Sequence, residues 1–157
     1  MKKQLLHSGW QLTTVGKNDT IPATVPGSVY NDLLNAGRME DPYWRDNEMK
    51  ALALMDEDYR YNTTFDVNAD VLNSERVLLR CEGLDTIADI VLNGEKIASV
   101  CNMHRTWEFD VKDSLKTTGN TLEIVFHSPT KYIKEQDKIC HAGGSGDAMV
   151  GFPNLRK

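Results

Sequence analysis

An all-β fold, an antiparallel β-sandwich or jelly roll with one or two short helices, is the class the sequence predicts. About six or seven short runs alternate apolar with polar residues or are β-rich, and turn residues separate them at close intervals. Convincing helical patterns are too few to cover both faces of a parallel sheet, so an α/β arrangement is disfavoured. Alternation also gives each sheet one wet and one dry face.

The elements follow in order. Trp10 to Val15 is the first strand. Ser28 to Ala36 reads as a helix, with Ser28 as N-cap, Val29, Leu33 and Leu34 as its apolar stripe and Gly37 just past its end. Asp46 to Leu54 adds a short helical turn. In Asp58 to Val67, Tyr59, Tyr61, Thr63, Phe65 and Val67 share one face while Arg60, Asn62, Thr64 and Asp66 share the other, the mark of a half-buried strand. Arg76 to Glu82 is β-rich and closed by Gly83. Ile87 to Leu92 ends at Asn93-Gly94, the dipeptide best suited to a type I′ turn, and Lys96 to Val100 returns, so the two form a hairpin. Trp107 to Val111 alternates again, and Thr121 to His127 follows a Gly119-Asn120 turn and stops at Ser128-Pro129. Residues 1–128 therefore hold the sandwich strands of a single domain, 1–157. Residues 129–157 read as a loop or linker tail, charged with weak helical periodicity over Lys131 to Ile139 and glycine-rich from His141 to Lys157.

The 157 residues suit one core that buries roughly 70% of the unfolded chain's surface. With 40% hydrophobic and 26% charged residues, disorder and low-complexity classes are disfavoured. A net charge of −5, with both signs interspersed, offers no footprint for nucleic acid or for an anionic membrane. No apolar run approaches the ~20 residues of a spanning helix, and MKKQLLHSGWQ turns polar too soon for a signal peptide. The expected compartment is cytoplasmic, or periplasmic or secreted with a leader removed. Cys81, Cys101 and Cys140 are odd in number and widely spaced, so they read as buried free thiols rather than disulfides or zinc ligands. Cys140-His141 has no second ligand pair, no Asp-rich loop suggests calcium, and no metal or cofactor is expected.

Five ordered blocks carry a resemblance. They are Val25-Pro26-Gly27-Ser28-Val29-Tyr30 through Asp41-Pro42-Tyr43-Trp44-Arg45-Asp46-Asn47-Glu48, then Asp58-Tyr59-Arg60-Tyr61 with Thr64-Phe65, then Gly83-Leu84-Asp85-Thr86 with Val91-Leu92-Asn93-Gly94, then Asn102-Met103-His104-Arg105, then Phe109-Asp110-Val111. Together they resemble the N-terminal domain of β-mannosidases of glycoside hydrolase family 2 over nearly the whole chain. Leu52, Ala53 and Leu54 stand where that family often has aromatic residues, and Tyr59 where it often has Trp.

The resemblance implies a jelly-roll, galactose-binding-like sugar-binding domain from an enzyme that releases terminal, non-reducing β-mannose with retention of configuration. Its catalytic glutamates would lie on a (β/α)₈ barrel, which needs at least ~200 residues and is not in this chain. The family pattern continues past an Arg-Lys like Arg156-Lys157 into a Trp-Asp-Trp segment, so the chain reads as an excised or truncated domain. The implied partners are the catalytic barrel of the same full-length chain and a mannose-containing oligosaccharide. An autonomous carbohydrate-binding module, or the same domain of a β-galactosidase or β-glucuronidase relative, is the alternative.

No catalytic residue is expected. Glu40-Asp41, Glu57-Asp58 and Asp85 with Asp89 read as solvated carboxylates rather than as the pair that a retaining glycosidase sets ~5 Å apart. His7, His127 and His141 show no matched base or nucleophile. Gly143, Gly144 and Gly146 in HAGGSGD lack the Lys-Ser/Thr ending of a phosphate loop. Candidates for a substrate rim are Trp44, Arg45, Asn47 and Glu48, where an aromatic face, a guanidinium and an amide could meet a sugar ring and its hydroxyls. Against this stands a rim-packed Trp44 with Arg45 and Glu48 paired to each other. Asn102 and Arg105 join the candidates from a connection between strands, which could equally dock on the barrel.

Overall fold

A computed structural model describes residues 2–140. The chain runs through β1 (Gln11–Thr14), β2 (Thr20–Pro22), α1 (Val29–Asn35), α2 (Asn47–Leu54), β3 (Tyr59–Phe65), α3 (Ala69–Leu72), β4 (Leu78–Cys81), β5 (Ala88–Leu92), β6 (Glu95–Val100), β7 (Trp107–Asp110), β8 (Asn120–Phe126) and α4 (Pro129–Ile139). One sheet has the order β2-β1-β3-β8-β5-β6, and a second pairs β4 with β7. Every pairing is antiparallel, as the short alternating runs require.

The period-2 pattern of β3 decides which face is dry. Tyr59, Tyr61 and Thr63 are buried, while Arg60 and Thr64 on the other face are exposed and Asn62 is half-buried. On the small sheet, Leu79 lies opposite Phe109 and Cys81 opposite Trp107, and all four join the core, whereas Arg80 opposite Glu108 faces water and pairs with it at 3.1 Å. Side chains of both sheets form one cluster in which Leu12, Ile90 and Leu92 are fully enclosed. Each is worth about 1.5–3 kcal/mol relative to exposure. This is the β-sandwich expected from the alternation.

The hairpin of β5 and β6 turns at Asn93 and Gly94, whose φ values of 53° and 84° are the two positive angles a type I′ turn demands. The Asn93 side chain then ties the turn to β8. Its Nδ2 donates to Asn120 Oδ1 at 3.0 Å and its Oδ1 accepts from Thr121 N at 3.0 Å. Asn120 is fully buried and its amide also donates to Lys116 O at 2.7 Å and accepts from Lys116 N at 2.8 Å.

Helix α1 starts where expected: the Ser28 side chain accepts from Asn31 N, and Gly37 follows in the left-handed region at φ 66°. Its Asp32 is buried against β3, accepting from Tyr61 OH at 2.9 Å and from Thr24 N at 2.9 Å.

The structure adds and corrects. Strand β2 and helix α3 are three and four residues long, too short for a period to register. The tail from 129 is not loop over its first part. Ser128 caps α4 by accepting from Lys131 N at 3.3 Å, and Pro129 supplies a preset φ in the first turn, so α4 runs to Ile139 despite its charged composition. The glycine-rich segment, Cys140-His141 as a pair, and Arg156-Lys157 reach outside the described residues. Of the three thiols only Cys81 is buried. Cys101 and Cys140 are free but exposed, because neither lies on an inward strand position.

Candidate substrate-rim site

The loop between α1 and α2 is built from its own backbone. Asp41 Oδ1 accepts from Tyr43 N at 2.9 Å, an Asx turn that starts the loop. Asp41 O accepts from Trp44 N at 3.1 Å and from Asn47 Nδ2 at 3.1 Å, and Trp44 O accepts from Asn47 N at 3.2 Å. Arg45 sits at φ 54°, a left-handed conformation that costs a non-glycine residue roughly 1 kcal/mol. The consequence is that Tyr43 and Trp44 stand out from the domain, 96% and 63% exposed. The Arg45 guanidinium lies 5.7 Å from the centre of the Trp44 ring.

Trp44 is thus not packed over the sandwich, and among the described residues Arg45 makes no ion pair with Glu48, which points to solvent. Asn47 takes a different part from its neighbours. Its side chain is buried and its amide closes the loop on Asp41 O, while its Oδ1 accepts from Lys50 Nζ at 3.4 Å. Beside it lies a hollow of about 240 Å³, walled by Arg38, Glu40, Asn47 and Lys50 over Ala51 and Leu54. Two ion pairs hold those walls, Lys50 on Glu40 at 2.7 Å and Arg38 on Asp19 at 2.8 Å.

The second candidate loop follows β6. Asn102 Oδ1 accepts from His104 N at 2.9 Å and Asn102 O accepts from Trp107 Nε1 at 3.2 Å. Arg105 lies 4.5 Å above the Trp107 ring, which stacks at 6.5 Å on Phe109 with planes only 4° apart. Arg105 therefore caps an aromatic ladder whose lower rungs belong to the core. Among the described residues, no hydrogen bond, ion pair or ring contact joins this loop to the Trp44 loop.

The carboxylates of the acidic pairs have local partners. Glu40 holds Lys50, Glu57 holds Lys17 at 2.9 Å, Asp85 accepts from Thr86 Oγ1, and Asp41 shapes its own loop. Asp58 and Asp89 do something the sequence did not signal: they flank His127, whose Nε2 lies 3.1 Å from Asp89 Oδ2 and whose Nδ1 lies 3.5 Å from Asp58 Oδ2. Strand pairing brings these distant positions together, which gives His127 carboxylate partners but no nucleophile. Among the described residues, no cluster of three or more His, Cys, Asp or Glu side chains could hold a metal ion.

The family model for the glycosyl hydrolase 2 galactose-binding domain-like family matches residues 10–157. The beta-mannosidase of Bos taurus is 31% identical over 133 residues, covering 85% of this chain and 15% of that protein. Beta-mannosidase A of Emericella nidulans is 38% identical over 122 residues, covering 76% of this chain and 13% of that protein. The crystal structure of a beta-D-mannosidase from Dictyoglomus thermophilum superposes with a TM-score of 0.82 at 37% identity, covering 85% of this chain and 16% of that one. The chain spans about 15% of the length of the curated relatives it matches.

Proposed function

We propose that this chain, which belongs to the glycosyl hydrolase 2 galactose-binding-like domain family, serves as the non-catalytic N-terminal module of a retaining β-mannosidase. In this reading the module packs on a catalytic barrel and borders the entrance through which a terminal, non-reducing β-mannose residue arrives. The observation that carries it is the loop at 41–46, where Tyr43 and Trp44 are raised into solvent on a self-bonded turn with Arg45 over the indole. An aromatic face with a guanidinium beside it suits either the C–H face and hydroxyls of a sugar or the surface of a neighbouring domain.

Chemistry belongs elsewhere in this reading. Retaining hydrolysis uses a nucleophilic carboxylate ~5 Å from an acid whose pKa is raised. Here Asp58, Asp89 and Asp110 are all lowered instead, and none is a poised acid. The purified chain mixed with an aryl β-mannoside is expected to release no aglycone, and catalytic release would overturn the assignment.

The same exposed rings favour a second reading, direct sugar binding by the isolated module. Titration with methyl β-mannoside, followed by NMR, then shifts the Tyr43, Trp44 and Arg45 resonances. A flat titration at millimolar sugar removes that reading and leaves the docking one.

A further inference from the structure

Three strands of the large sheet meet at His127. Asp58 immediately precedes β3, Asp89 is on β5, and His127 follows β8 at the step into α4. Both carboxylates also reach outward. Asp89 Oδ1 accepts from Ser99 Oγ at 2.7 Å and lies 2.8 Å from Lys96 Nζ, both on β6. Asp58 Oδ1 accepts from Ser128 N at 2.9 Å and lies 3.5 Å from Lys131 Nζ.

These contacts hold the start of α4. Of its side chains only Thr130 is buried, its hydroxyl donating to Met55 O at 3.4 Å, and none of them joins the hydrophobic core. The Ser128 hydroxyl donates to Met55 O, and Lys134 Nζ lies 3.5 Å from Asp56. Tyr132 and Ile139 are 49% and 79% exposed. A helix attached by polar contacts rather than apolar burial opens at low cost.

An imidazole between two carboxylates has unequal fits in its two protonation states. The imidazolium donates from both nitrogens, one to Asp89 and one to Asp58. The neutral ring has a single N–H and turns a lone pair towards one of the carboxylates. The looser contact, to Asp58, is the one to give. The other charged groups around the site are Lys96 from β6 and Lys131 and Glu135 from α4, the last lining a hollow of about 290 Å³ with His127, Tyr132 and Ile87.

We propose that His127 is a proton-linked latch: protonated, it joins Asp89 on β5 to Asp58 before β3 and so seats the N-terminus of α4, and on losing its proton it releases the Asp58 arm. Asp58 is held below the ordinary carboxylate value despite the opposing effect of partial burial, by the Ser128 amide, Lys131 and His127. Asp89 is brought to about 2 because hydrogen bonds from Lys96, Ser99 and His127 outweigh its burial. Both stay ionised through the neutral range, and histidine is the side-chain type whose charge ordinarily changes there. The latch thus ties local acidity to how firmly α4, the last described element, is held on the sandwich.

Amide hydrogen exchange of the 157-residue chain, corrected for intrinsic rates, tests this at about pH 5.5 and about pH 8. Amides of α4 from Tyr132 to Ile139 are expected to be about three- to ten-fold better protected at the acid value, while those of β3 and β8 change little. His127→Gln abolishes the difference. Asp58→Asn, which keeps an oxygen for the Ser128 amide, abolishes it as well and provides the answer if the histidine variant does not fold. Equal protection of α4 at both pH values in the unaltered chain, or a full difference surviving in either variant, overturns the proposal.

Discussion

Tyr61→Phe isolates one buried hydroxyl and measures what anchors α1. The Tyr61 ring stays in place, since its edge-on contact with Phe126 at 5.8 Å and 86° needs no oxygen. What is lost is the donor to Asp32 Oδ2 at 2.9 Å. Burial and the hydrogen bond to Asp32 push the phenol far above its ordinary value, so the hydroxyl remains a donor at any working pH. Asp32 is only 2% exposed, and the Thr24 amide would remain as its donor, on the other oxygen.

Leaving a buried carboxylate oxygen without its donor costs about 1.5–3 kcal/mol. For a domain of this size each kcal/mol lowers Tm by about 2–4 °C, so a fall of about 3–12 °C is expected in calorimetry. A local signature should accompany it. The Tyr30 hydroxyl on α1 donates to Ala51 O on α2, so loosening α1 also loosens the elements that frame the Trp44 loop, and their amides exchange faster. A change within about 0.5 kcal/mol, the range of an ordinary surface substitution, would refute the reasoning and show that Asp32 Oδ2 does not depend on Tyr61.

Four further outcomes follow from the same structure. Asn120→Ala removes one of the partners of Asn93 and both contacts to the Lys116 backbone, so urea titration should show a loss of about 2–4 kcal/mol. Arg45→Gly relieves a left-handed residue and should leave stability unchanged or raise it by up to about 1 kcal/mol, while tryptophan fluorescence reports the loss of the guanidinium over Trp44. With a thiol reagent at neutral pH, Cys101 and Cys140 react in the native state, whereas Cys81, its thiol pushed up to about 11 by burial, reacts only on unfolding. Asp89 is depressed, so its contribution is fully present above the ordinary value of 3.8 and is lost as pH falls from there through about 2. Asp89→Asn should flatten stability over that acid window, as read by thermal melts.

Much of the fold was legible. The alternation from Tyr59 to Phe65, the Asn93-Gly94 turn and the Ser28 cap each state a local rule strong enough to survive packing. What was missed has a physical cause in each case. β2 is three residues long and is a strand only because β1 lies beside it. α4 has a polar composition with one buried side chain, so its helical periodicity over Lys131 to Ile139 was weak, and its Ser128-Pro129 start read equally well as a strand end. The rim residues were legible as residue types but not as roles. Trp44 and Asn47 share a loop, yet the indole projects and the amide is turned inward to close the turn, a division set by backbone angles.

Residue order alone settled which faces are dry, where the chain reverses and which family it belongs to, because those depend on neighbours two to four positions apart and on blocks of motif. Only the tertiary structure decided that Asp32 meets Tyr61, that Arg105 caps a ladder founded on Phe109, and that His127 stands between Asp58 and Asp89. Asp32 and Tyr61, and His127 and its two carboxylates, are separated in the chain by whole elements, whereas Arg105 and Phe109 are four residues apart and meet because alternate positions share a strand face. The register of an antiparallel sheet brings Asp58 and Asp89 to His127, and a shift of one residue would send those side chains to the opposite face.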